Sequence, residues 1–268
     1  MRIAILGGGN MGTTYARAFV RSNILKKEDL LIIEKHIEKR EELNKEQLCT
    51  LSASIPENLS SYNIIILAVK PQDFKVLASE LKAHINSNHI VISIMAGINI
   101  NTIEQSLDHK NVVRAMPNTP AQLGFGITAF TVNKSTNMEL VSVADTLFET
   151  TGKAVFMKDE ELLDAVTALS GSGPAYFYYF VKHMIEAGKE MGMEDHIAAM
   201  LVKQTMLGAF QIMNNSSNSL DQMIQAVASK GGTTEAALKY FEQHTMGATI
   251  KSAIKAAEKR AKELSQGG

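Results

Sequence analysis

The first twelve residues constrain this chain more than any other stretch. An apolar run, Ile3-Ala4-Ile5-Leu6, meets Gly7-Gly8-Gly9-Asn10-Met11-Gly12 and then a helical pattern, so a strand is predicted to turn through glycines into a helix. That is the dinucleotide-binding arrangement. Gly7 permits the tight turn, Gly9 lets backbone approach a pyrophosphate, and Gly12 permits close packing of helix on strand, while the helix start offers N–H groups to the phosphates. Glycine patterns alone occur in many turns. Here the preceding strand, the following helix and the acidic Glu34, about 20 residues beyond Gly12, all fall where the motif needs them.

The stretch that follows alternates strand and helix. Leu30 to Ile33 reads as a buried strand ending at Glu34, Lys35 to Leu48 as a charged helix, and Ile64 to Val69 as a parallel strand covered on both faces. Further strands are predicted at Ile90 to Ile94, Val112 to Met116, Ile127 to Val132 and Lys153 to Phe156, with helical patterns between them. This predicts an N-terminal Rossmann-type, doubly wound, mainly parallel sheet over 1–157, with ligands beyond the carboxyl ends of its strands. Three strand ends there are small, kinked or polar: Ala68-Val69-Lys70-Pro71, Met95-Ala96-Gly97 and Met116-Pro117-Asn118-Thr119-Pro120.

From Lys158 strand signals stop, and 158–268 is predicted to be an all-helical second domain. Ser170-Gly171-Ser172-Gly173-Pro174 reads as a break before a helix over Ala175 to Met191, whose proline suits a first turn. That helix is apolar on more than one face, with Tyr176, Phe177, Tyr179, Phe180 and Met184, which predicts burial against a second copy of the chain. Ser229-Lys230-Gly231-Gly232-Thr233-Thr234 stands just before another helix. Such a turn can cradle a carboxylate or phosphate on free N–H groups, or be a glycine-relaxed turn with Ser or Thr capping; the residues alone leave both open.

Composition limits the function classes. In 268 residues, 27 basic side chains against 28 acidic leave a net charge of −1, which argues against a nucleic-acid footprint. Cys49 is the only cysteine, so no intrachain disulfide or cysteine-based zinc site can form, and a cytoplasmic setting is expected. No apolar run approaches the roughly 18 residues of a membrane span, and no signal-peptide pattern opens the chain. The seven histidines show no ligand spacing and read as surface or capping positions, with no metal expected. Asp164 and Asp195 read as helix-capping or solvated.

Taken in order, the glycine turn, Ala68-Val69-Lys70-Pro71, Arg114-Ala115-Met116-Pro117-Asn118-Thr119-Pro120, Ser170-Gly171-Ser172-Gly173-Pro174-Ala175-Tyr176 and Ser229-Lys230-Gly231-Gly232-Thr233-Thr234 resemble pyrroline-5-carboxylate reductases across nearly the whole chain. The resemblance implies NADPH- or NADH-dependent reduction of the C=N bond of 1-pyrroline-5-carboxylate, the last step of proline biosynthesis. It also implies a helical domain that interleaves in a homodimer, which in some relatives assembles into decamers. Residue by residue, it puts the pyrophosphate on Gly7 to Gly12, and lines the cofactor with Ala68, Val69, Lys70 and Pro71 and with Met95, Ala96 and Gly97. Asn118 would lie near the nicotinamide. Thr234 would hydrogen-bond the imine nitrogen, while Ser229 and the backbone of Gly231, Gly232, Thr233 and Thr234 would hold the substrate carboxylate. Glu160 matches a position that approaches the substrate amine.

Two departures from the family pattern stand out. Lys230 replaces the usual proline, and Glu34 suits the ribose hydroxyls of NADH, whereas family habit favours NADPH and Lys35, His36, Lys39 and Arg40 follow at once. A related cyclic imine is a further candidate substrate. Two rival functions are a β-hydroxyacid dehydrogenase, with Lys182 or Lys189 as proton donor, and a non-catalytic NAD(P)H sensor.

Overall fold

The computed structural model describes residues 1–133 and 138–265. Its strands are β1 (Ile3–Leu6), β2 (Leu30–Ile33), β3 (Thr50–Ser52), β4 (Ile64–Leu67), β5 (Ile90–Ser93), β6 (Val112–Met116), β7 (Gly126–Val132) and β8 (Gly152–Phe156). Between them lie the helices α1 (Asn10–Arg21), α2 (Ile37–Lys45), α3 (Phe74–Leu81), α4 (Ile100–Leu107) and α5 (Met138–Glu149). The rest is helical: α6 (Leu162–Val166), α7 (Gly173–Glu190), α8 (Asp195–Asn215), α9 (Leu220–Val227), α10 (Thr233–Gln243) and α11 (Met246–Ser265).

The strands form one sheet in the order β3-β2-β1-β4-β5-β6-β7-β8. All neighbours are parallel except β6 and β7. Parallel strands covered on both faces need apolar side chains at every position. β1, β2 and β4 are accordingly buried throughout. Ile3 and Ile5 point into one core with Tyr15 and Phe19 of α1 and Phe148 of α5; Ala4 and Leu6 point into the other with Phe74 of α3 and Ile103 of α4. The Tyr15 hydroxyl bonds Thr128 Oγ1 at 2.9 Å in this core, and burial pushes its pKa to about 12, so the phenol stays neutral.

Two local features differ from the sequence expectation. β3 was not anticipated, because three partly exposed residues carry no measurable alternation. The break expected at Ser170 to Pro174 is a π-helical turn, Thr167–Gly171, closed by the Ser172 N–H on the Thr167 carbonyl at 2.9 Å. Pro174 sits in the first turn of α7, where its missing N–H costs nothing.

The chain falls into two compact units, Met1–Ser172 with Ala257–Gly268, and Gly173–Ala256. The division expected at 157/158 therefore lies inside the first unit. Arg114 on β6 binds Glu160 and Asp164, which attaches α6 to the sheet, and the end of α11 joins the same unit. In the second unit α7 and α8 pack through Gly188 against Ala198, where a Cβ on the glycine would come within 2.9 Å of the alanine. Of α7, only Gly173 and Gly188 are buried.

Candidate functional site

The order of the strands reverses at β1, which has β2 on one side and β4 on the other, so the carboxyl end of β1 is the topological switch point where open α/β sheets bind dinucleotides. The glycine turn stands there. Gly7 has φ +112, and a Cβ on it would lie 2.6 Å from the Ala68 carbonyl oxygen; a Cβ on Gly12 would lie 2.1 Å from the Gly7 oxygen. Both are glycines by necessity. Around Gly9, in contrast, a Cβ would meet nothing within 4 Å, so the backbone is open to an approaching diphosphate. The first-turn N–H groups of α1, at Asn10, Met11 and Gly12, have no intrahelical acceptor and supply the anion-binding end. These residues fit the nucleotide that the sequence implies.

A cleft of about 380 Å³ opens beside this turn and brings together Leu6, Gly7, Gly9, Glu34, Lys35, Ala68, Val69 and Lys70 of the expected cofactor set. His36 and Lys39 line it as well. Glu34 is only 5% exposed, and both its carboxylate oxygens are engaged: Oε2 accepts the Gly8 N–H and Oε1 the His36 N–H, each at 2.9 Å. The carboxylate thus ties the glycine turn to the end of β2. Arg40 donates to the carbonyls of Glu34 and Lys35, and Lys35 pairs with Asp73 at 3.5 Å, which leaves His36 and Lys39 as exposed cationic or cation-forming groups at this end.

Pro71 begins the turn into α3, and Met95, Ala96 and Gly97 form the turn after β5. Gly97 has φ +73, and a Cβ on it would come within 3.0 Å of Leu264 Cβ. Asn118 braces its surroundings: its Oδ1 accepts the Ile127 N–H at 3.0 Å, and its Nδ2 donates to Ser170 Oγ at 3.2 Å. Both ends of its side-chain amide thus have protein partners.

Beneath these turns lies a network that sequence reasoning missed. Arg114, 3% exposed, donates to Glu160 Oε1 at 3.0 Å and to Asp164 Oδ1 at 3.1 Å, and Glu160 Oε1 also accepts the Ile100 N–H at 2.7 Å. Glu160 Oε1 therefore braces the start of α4, and the side chain stays 30% exposed. Asp164 is buried and ion-paired, not solvated or capping. The one available signal was a basic residue inside the otherwise apolar β6, since a buried guanidinium requires carboxylates nearby.

The second glycine turn belongs to the other unit. Gly231 has φ +76, Gly232 is the N-cap of α10, and no side chain caps it. The Gly232 N–H donates to the Ser229 carbonyl at 3.0 Å, and the Gly231 N–H donates to Glu235 Oε2, while Glu235 Oε1 pairs with Lys239 at 3.1 Å. These contacts hold the Glu235 carboxyl below its usual pKa, the Gly231 N–H contributing most. Gly231 and Gly232 are thus internally satisfied. Of the expected set, the first-turn N–H groups of Thr233 and Thr234 are the ones without an intrahelical acceptor. Thr234 is half-buried, while Ser229, Lys230 and Thr233 are exposed.

The lysines a hydroxyacid dehydrogenase would need are surface ion pairs, Lys182 with Glu186 at 3.7 Å and Lys189 with Asp195 at 2.9 Å. His89 and His109 are buried, contrary to the surface or capping positions expected of them, and His109 Nε2 bonds the His89 carbonyl at 2.9 Å. Among the described residues no helix is long and apolar enough to cross a membrane.

A parallel sheet with a glycine turn at its switch point and an adjoining nucleotide-sized cleft defines a Rossmann-type, dinucleotide-dependent oxidoreductase. Residues 2–97 match the family model for NADP oxidoreductase, coenzyme F420-dependent, and residues 160–264 the model for pyrroline-5-carboxylate reductase dimerisation. Pyrroline-5-carboxylate reductase 1 of Bacillus subtilis is 32% identical over 99% of this chain and 90% of its own length. Two solved structures are also similar. A pyrroline-5-carboxylate reductase from Coxiella burnetii matches at TM-score 0.88 and 30% identity, over 98% of both chains. The Plasmodium falciparum pyrroline carboxylate reductase with NADP bound matches at TM-score 0.87 and 28% identity, over 99% of this chain and 98% of that one. This chain belongs to the pyrroline-5-carboxylate reductase family. Its helical region matches a dimerisation domain, and within it Phe177, Tyr178 and Tyr179 of α7 are each more than 60% exposed.

Proposed function

We propose that this chain reduces the C=N bond of 1-pyrroline-5-carboxylate with NAD(P)H to give proline, acting in the cytoplasm as a homodimer. The observation that carries this reading is near-complete coverage by named pyrroline-5-carboxylate reductases, together with a second helix start suited to a small carboxylate. A hydroxyacid dehydrogenase has no use for that second start, and a sensor needs no substrate site at all.

The nucleotide, when bound, supplies the hydride that adds to the imine carbon. The chain supplies position and polarity. Gly9 and the first turn of α1 hold the diphosphate, and the N–H groups of Thr233 and Thr234, with the positive end of α10, hold the substrate carboxylate. The Thr234 hydroxyl hydrogen-bonds the ring nitrogen, which becomes an amine as the C–H bond forms and the C=N π bond is lost. At neutral pH a hydroxyl polarises rather than ionises, so the added proton comes from an imine already protonated or from solvent.

NADPH suits the cleft better than NADH. With both Glu34 oxygens taken by backbone N–H groups, that carboxylate is a brace for the turn, and Lys39 and His36 stand exposed at the same end to meet a 2′-phosphate.

The test follows NADPH and NADH absorbance with and without 1-pyrroline-5-carboxylate. Substrate-dependent oxidation is expected, with the higher kcat/KM for NADPH. Turnover only with hydroxyacids would move the assignment to the dehydrogenase, and cofactor binding without any turnover to the sensor. Light scattering checks the assembly, for which a stable monomer at micromolar concentration is the adverse result.

A further inference from the structure

The end of α11 is the part of the first unit that the proposed chemistry leaves unused, and it rests on the turn after β5. Leu264 backs Gly97 so closely that a Cβ there would lie 3.0 Å from the leucine Cβ and 3.3 Å from its carbonyl carbon. The Ser265 carbonyl accepts Asn99 Nδ2 at 3.3 Å, while Asn99 Oδ1 caps α4 by accepting the Thr102 N–H at 2.7 Å. Ser265 Oγ donates to Asp164 Oδ2 at 3.0 Å, with the Lys262 carbonyl as its alternative acceptor at 2.9 Å. Asp164 is in turn held by Arg114, which also holds Glu160 against the Ile100 N–H. The turn from Met95 to Ile100 is therefore gripped from two sides by one connected set of bonds.

Where that turn lies gives the grip a function. The adenosine half of a dinucleotide at this switch point lies toward β2, where the ribose-binding acid of such folds stands, so the other half lies over the ends of β4 and β5. Resting on the proposed function, we infer that the last turn of α11, through Leu264 and Ser265, is a positioning clasp that sets the β5–α4 turn on the nicotinamide side of the cofactor site. Leu264 and Ser265 touch neither cofactor nor substrate in this role. They act through Gly97, Asn99 and Asp164, and a turn displaced by a fraction of an ångström misaligns hydride donor and acceptor.

The variants Ser265→Ala, Ser265→Thr and Leu264→Ala test the clasp. In the cofactor-free protein, amide hydrogen exchange across 95–100 should quicken in Ser265→Ala and Leu264→Ala and return toward wild type in Ser265→Thr, which keeps the hydroxyl. NADPH affinity and kcat/KM should fall about tenfold in the two alanine variants. Affinity for 2′,5′-ADP, which has no nicotinamide, should stay within about twofold of wild type, the scatter of an uncoupled site. Unchanged exchange and unchanged NADPH affinity would overturn the clasp, as would a parallel loss of 2′,5′-ADP affinity, which marks general loosening of the unit. Exchange and binding are read without substrate, so a wild type inactive on 1-pyrroline-5-carboxylate would count against the proposed function while leaving the clasp to these two measurements.

Discussion

The two glycine turns of this protein are built on opposite principles. In the first, Gly7 and Gly12 are pressed against Ala68 and against each other, and the helix that follows buries seven residues, Gly12, Thr13, Thr14, Tyr15, Ala16, Ala18 and Phe19. In the second, a Cβ at Gly231 would meet nothing within 4 Å, and α10 buries no residue among those described. Close packing fixes the first turn as soon as the sheet forms. The second is held by short-range contacts, the bonds of Gly232 to Ser229 and Gly231 to Glu235 and the packing of Gly232 on Ser229, where a Cβ would lie 2.5 Å from Oγ.

The sharpest way to break this contrast is to place the same methyl group in two positions of the first turn. Gly12→Ala drives a Cβ to 2.1 Å from the Gly7 oxygen and should cost about 3 kcal/mol of stability, with cofactor binding lost. Gly9→Ala meets no protein atom, so denaturant unfolding should stay within about 0.5 kcal/mol of wild type. Its NADPH affinity should still fall about tenfold, because the methyl fills the path of the diphosphate. Equal stability losses in the two variants would mean that the turn is not packed as described.

For the second turn, Thr234→Ala should lower kcat about a hundredfold while NADPH affinity, read by fluorescence titration, stays within about twofold. A collapse of cofactor binding instead would show that the two turns do not divide the labour.

The smallest effect concerns neither turn. His109 precedes β6 at the edge of the sheet opposite the strand carboxyl ends, and burial pushes its imidazole below the ordinary 6.5, with the His89 carbonyl and Glu104 opposing that shift and the His89 ring adding to it. The native state resists a proton that the unfolded chain takes up. Stability is therefore full above pH 6.5 and declines as pH falls from there toward the lowered native pKa. His109→Gln should flatten that acid limb in thermal melts, and NADPH affinity should not change with it.

Much of the fold was legible because its signals are local. An unbroken apolar run marks a doubly covered strand, and β1, β2 and β4 carry such runs throughout, while β5 and β6 open on shorter ones. β3 gave no signal, being three residues long and half exposed. The cofactor cleft was legible for the same reason as β1, since Gly7, Glu34 and Ala68 each stand at the end of a recognisable strand. Glu160, Asn118 and Asp164 were not, because the partners that engage them are 9 to 50 residues away or more in sequence.

The sequence by itself determined the class of the protein, a glycine-turn Rossmann domain followed by helices, because strand, turn and helix start are each specified by neighbouring residues. Only the tertiary structure decided what the individual charges do. Glu34 became a brace for the glycine turn, and Glu160 and Asp164 became partners of Arg114. The physical reason is burial: a carboxylate withdrawn from water must find donors, and which donors lie within 3 Å is a property of the folded chain.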